Sequence, residues 1–141
     1  MLKFIFPLFL SLTIVSSSAF AGSVESTENS LKANMKQANT LFKSIGAHIN
    51  DPTKNTVNAK SAESMAEVFA QVIQQVPKSF DGIPEAQRAE ALKGYQTLIQ
   101  QCIDHSLSLQ QAFLEGNNAA ALNIYQEMKD LKKEGHEQFD P

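Results

Sequence analysis

Four stretches of this chain, the first three closed by a proline or a glycine, space their apolar residues mostly three and four positions apart. From about Ser26 to Ile49 the series is Leu31, Met35, Ala38, Phe42, Ile45 and Ile49, a 4-3-4-3-4 spacing that draws one narrow stripe along a helix. Asn50-Asp51-Pro52 breaks it, because proline lacks an amide donor and drives its predecessor out of helical geometry. A polar loop to about Asn58 should follow. A second stripe, Ala62, Met65, Phe69, Val72, Ile73 and Val76, is stopped at Pro77. After a linker from Lys78 to Ile83, Pro84 suits the first turn of a third helix carrying Leu92, Tyr95, Ile99, Cys102, Leu109 and Phe113. Gly116 is placed to end that helix in a left-handed conformation, and Asn117 or Asn118 to cap a fourth with Ala121, Leu122, Tyr125, Met128, Leu131 and Phe139 inward.

No strand alternation, solenoid period or low-complexity tract is present, so the fold expected is all-α, an antiparallel up-down-up-down four-helix bundle. In that topology the start of the first helix and the end of the fourth lie at one end. Met35 and His136 meet there. His48 falls at the opposite end, and His105 well toward it; both read as surface histidines.

The first 21 residues stand apart from this pattern. Lys3 gives a positive start, Phe4 to Val15 an apolar run and Ala19-Phe20-Ala21 a small-x-small site, which together read as a secretory signal peptide cut before Gly22. The run is shorter than the ~20 residues a spanning helix needs, and no second apolar stretch follows, so no membrane span is expected. The remaining chain, residues 22–141, is the size of one domain. Without Lys3 its charge is 11 − 15 = −4, with no basic stripe of the kind a nucleic acid demands, and any protein partner would be expected to bring a basic docking patch.

Cys102 is the single cysteine, so no internal disulfide staples the fold, and it reads as a core thiol. The residues before His136 are Lys132, Lys133, Glu134 and Gly135, which is not the Cys-x-x-Cys-His of covalent haem attachment. There is no zinc spacing, glycine-rich phosphate loop or recognisable nucleophile motif, so an enzyme is not expected. Read singly, Met35 fits gap-filling core packing, and His136 fits a last-turn cation offsetting the helix dipole.

Two segments resemble the cytochrome b562 family of periplasmic electron carriers. Leu31-Lys32-Ala33-Asn34-Met35-Lys36-Gln37-Ala38-Asn39-Thr40-Leu41-Phe42-Lys43-Ser44-Ile45 is similar to the family's opening helix, and the unit from Glu115-Gly116 to Gly135-His136-Glu137-Gln138-Phe139 to its closing one, at the same distance from Glu-Gly to histidine. The resemblance implies one haem b per chain, bound without covalent bonds, with Met35 and His136 as axial iron ligands and a transient redox partner. It places Tyr95 and Ile99 where the family has phenylalanines flanking the haem, Lys132 where it has an arginine near the haem edge, and Ala38 where it has a leucine. An exported bundle without haem, acting as a binding or chaperone-like module, is the alternative, since a fold does not fix a function. A five-coordinate gas-binding site on His136 alone is a third.

Overall fold

The computed structural model describes residues 21–139, with side chains from residue 28 onward. Apart from Ala21, where the first helix begins, the expected signal peptide lies outside the described residues. Four helices account for nearly all of the rest: α1 (Ala21–Ala47), α2 (Asn55–Val72), α3 (Glu85–Leu114) and α4 (Asn118–Phe139). Short connections make each helix antiparallel to the next, and α1 packs on α2, α2 on α3 and α3 on α4. This is the expected four-helix bundle. The α1–α4 seam is the loosest of the bundle.

The stripes read from the sequence are the buried faces. Ile45, Met65, Val72, Leu109 and Phe113 are almost wholly shielded from solvent, each removing roughly 1.5–3 kcal/mol worth of apolar side chain from water. Ser106 lies within the same core, its hydroxyl donating to the Cys102 carbonyl at 2.7 Å. That back-bond satisfies the one polar atom the side chain brings inside.

The connections are tighter than expected. Asp51 accepts from the Thr53 amide at 3.0 Å and the Thr53 hydroxyl at 2.7 Å, capping a 3-10 turn at Pro52–Lys54, so α2 starts at Asn55 instead of beyond Asn58. Asn58, read as loop, is a buried helical residue whose amide donates to the His48 carbonyl at 3.2 Å. At its other end α2 stops at Val72, a turn before Pro77. Gln74 and Gln75 bond three residues back, to the Gln71 and Val72 carbonyls, tightening the chain ahead of the residue that proline restricts. Val76 is consequently exposed and lies outside the stripe.

The Lys78–Gly82 linker is a 3-10 turn that buries Phe80. Pro84 occupies the cap position of α3. Gly116 has φ 69°, and Asn117 donates to the Ala112 carbonyl at 2.8 Å, a six-to-one closure that ends α3 as expected. The Asn117 side chain then accepts from the Ala120 amide at 3.0 Å, capping α4. Asn118 reaches instead across the bundle end: its amide group pairs reciprocally with that of Asn55 at 2.9 Å and donates to the Ile49 carbonyl at 2.8 Å.

Candidate functional site

Stripe spacing puts Leu31, Met35, Ala38 and Phe42 on one face of α1, turned toward the bundle interior. Where α1 begins and α4 ends, that face packs only loosely against α4. A cleft of about 660 Å³ opens there, within the ~300–1,000 Å³ typical of cofactor and small-molecule sites. Met65 and Phe69 of α2 floor it, Tyr95, Ile99 and Cys102 of α3 form the back wall, and Met128, Leu131, His136 and Phe139 of α4 complete it.

The cleft has a closed end and a braced mouth. Toward the bundle middle, Phe42 stacks on Tyr125 with ring centroids 4.2 Å apart. The approach depends on Gly46, where any Cβ would run into the Tyr125 hydroxyl. At the opposite end, the ring edges of Phe80 and Phe139 pack around Tyr95 at 5.8 and 5.5 Å, and the Ser79 hydroxyl holds the Phe139 carbonyl at 2.7 Å. The last turn of α4 is thereby anchored to the linker between α2 and α3.

The residues singled out from the sequence come together here: Met35, Tyr95, Ile99, Lys132 and His136 all line this one cleft. Met35 is 39% exposed, whereas its stripe neighbours Ala38 and Ile45 are buried. Met35 therefore lines the cleft without being shielded as they are. His136 is an exposed residue in the last turn of α4 and lines the same cleft. Tyr95 is buried and its hydroxyl donates at 3.3 Å to the Val72 carbonyl, which also accepts from the Gln75 amide at the C-terminus of α2. Desolvation pushes its hydroxyl up to about 12. The Lys132 ammonium donates to the Asn39 side chain at 2.8 Å, bridging α4 to α1. Gly135 lets the helices approach, since a Cβ there would lie 3.3 Å from Leu98 Cδ2.

Cys102 is a lining residue that the sequence reading left in the core. It stands seven positions after Tyr95 and three after Ile99, on the same stripe, which is the signal that would have placed it. Burial pushes its thiol up to about 12, so it is neutral and inert at ordinary pH. His48 and His105 are not in the cleft. His105 is half-buried, with its ring nitrogens against the Gln101 carbonyl at 2.8 Å and Glu127 at 3.2 Å, so it ties α3 to α4.

The cleft suits a flat, largely apolar group that carries a metal and a charged edge. Its walls are largely aliphatic and aromatic, a methionine and a histidine from different helices line it, and lysines are among its lining residues. Those are donors iron porphyrin accepts. Among the described residues no group of three or more His, Cys, Asp or Glu side chains converges, so a bare metal ion has no such site there. A second depression, of about 440 Å³ between α3 and α4, is open, and its lining includes Glu90, Lys93, Thr97, Gln101 and Glu134 but no donor pair of that kind. Among the described residues no helix is long and apolar enough to cross a membrane.

A family model described as Cytochrome b562 matches residues 30–140, a span that includes every lining residue from Leu31 to Phe139. No curated protein and no solved structure matches the chain.

Proposed function

Because the chain belongs to the cytochrome b562 family of haem-binding electron carriers, we propose that it is a periplasmic electron carrier holding one non-covalent haem b between Met35 and His136. The observation that supports this reading is the shared cleft: Met35 of α1 and His136 of α4 line one largely apolar space. Bound haem supplies a one-electron iron couple, and thioether–imidazole ligation favours its ferrous state and raises its potential.

The chain's own residues do the remainder. Met35 Sδ and a ring nitrogen of His136 would hold the iron. Tyr95 and Ile99 would wall the ring, and the aromatic cluster of Phe80, Tyr95 and Phe139 braces that end of the cleft. Ala38, small and buried, leaves width beside the ring. Lys132, already drawn toward the mouth by Asn39, is placed to offset a propionate as a point charge. No bond is made or broken in such a role, so the protein is a carrier and not an enzyme. Lys3, the apolar run and Ala19-Phe20-Ala21 support export before the domain folds.

Titrating haem into the purified protein tests the proposal. The expected result is saturation at one haem per chain with a sharp low-spin ferrous spectrum, all of the haem being extracted by acidified organic solvent. A colourless protein at saturating haem overturns it and leaves the haem-free binding module. Periplasmic extracts should contain a form whose N-terminus is Gly22.

A further inference from the structure

The chain is acidic overall, yet its charges are unevenly placed around the cleft. Among the described lining residues, Lys32, Lys36, Lys78 and Lys132 are cationic and Glu28 alone is acidic, a local balance of 4 − 1 = +3. Glu28 is itself engaged by Lys78 at 3.5 Å. The lysines come from α1, from the linker after Pro77 and from α4, so they surround the mouth and do not run along one helix. Neighbouring carboxylates point elsewhere: Glu137 pairs with Lys133 at 3.8 Å, and Glu134 lines the separate depression against α3.

We propose that this lysine collar is the docking surface for the redox partner, and that the partner presents an acidic patch around its own redox centre. The inference rests on the electron-carrier reading and reverses the expectation from net charge. Distance decides between the two. At ~0.1 M salt the screening length is about 10 Å, so carboxylates elsewhere on a bundle of this size are largely screened from a partner at the mouth, while the collar is in contact with it. The propionates of a bound haem, ionised like other carboxylates, remove roughly two of the collar's charges and leave it cationic. Charge of one sign around a cleft steers encounter and fixes orientation without requiring tight binding, as a transient electron-transfer contact needs. An anionic membrane is the poorer occupant, since a few lysines at ~1 kcal/mol each give weak attachment.

The test follows amide shifts of isotope-labelled protein at ~0.1 M salt, with and without haem, against polyglutamate and polylysine peptides. Polyglutamate should shift the amides of Lys32, Lys36 and Lys132. The double variant Lys32→Glu, Lys36→Glu should bind it about tenfold more weakly, while Lys60→Glu on α2 matches the parent. Circular dichroism checks that each variant is folded. Polylysine binding at the mouth, or equal polyglutamate affinity in parent and double variant, overturns the proposal. Equal or tighter binding to phosphatidylglycerol vesicles replaces the protein partner with a membrane and overturns it also. A protein that takes up no haem yet binds polyglutamate at the collar loses the electron-carrier reading alone; one that takes up haem and ignores polyglutamate loses the collar alone.

Discussion

Phe42 and Tyr125 lie face to face across α1 and α4, their planes 14° apart and their centroids separated by 4.2 Å. The stack is the point where the loosest seam of the bundle closes, and it marks the inner limit of the cleft. Offset aromatic pairs of this kind add roughly 0.5–1.5 kcal/mol beyond the area they bury. The contact exists because Gly46, one turn after Phe42, leaves room for the Tyr125 hydroxyl.

Gly46→Ala should therefore lower the melting temperature, although alanine is the better helix former by about 1 kcal/mol. The added methyl displaces a ring fixed by stacking, an overpacking penalty of ~1–3 kcal/mol. Combining it with Tyr125→Phe removes the nearest clashing atom and should restore part of the loss. Thermal unfolding of the two single variants and the double variant forms the cycle that checks this.

Removing either proposed ligand should give a distinct spectrum. Met35→Ala is expected to keep haem on His136 alone, converting it to a high-spin form that binds carbon monoxide. His136→Ala should weaken haem binding beyond the 10–100-fold typical of losing a mere supporting group. Absorption spectra with and without carbon monoxide separate the two cases.

Alkaline pH should destabilise the fold in two stages. The Cys102 thiol rises from 9.0 to about 12 and the Tyr95 hydroxyl from 10.0 to about 12, in both cases first because burial disfavours the ionised form. Both groups are neutral below pH 9, where this stabilisation is complete; above it the unfolded chain ionises first and stability falls toward pH 12. Cys102→Ala should flatten the fall between pH 9 and 10 and leave the Tyr95 part above it. Denaturant midpoints across that range measure it, and alkylation of Cys102 at pH 8 should wait for unfolding.

Asn118→Ala should cost about 1–3 kcal/mol, since it orphans the Ile49 carbonyl and dissolves the amide pair with Asn55. The residue sits at the end of the bundle remote from the cleft. Haem affinity and spectrum should match those of the parent, with only the denaturation midpoint moving.

The stripes were legible because three-and-four spacing is a property of single helices, and the left-handed Gly116 because a turn with positive φ selects glycine almost regardless of surroundings. Phe80 was not legible: a lone aromatic in a polar linker has no period, and only the arrival of Tyr95 and Phe139 from α3 and α4 gives it a core. The end of α2 was misplaced because proline marks where a helix must already have stopped, and the chain tightened a turn earlier. Within the site, topology alone puts Met35 and His136 at one end. The collar stayed hidden because its lysines come from three separate elements and acquire a common position only on folding.

The loose seam between α1 and α4 is the one that closes the bundle on itself. The other three interfaces join helices that are consecutive along the backbone, whereas this one joins the first helix to the last. Whatever lodges in the cleft bolts the outermost helices together.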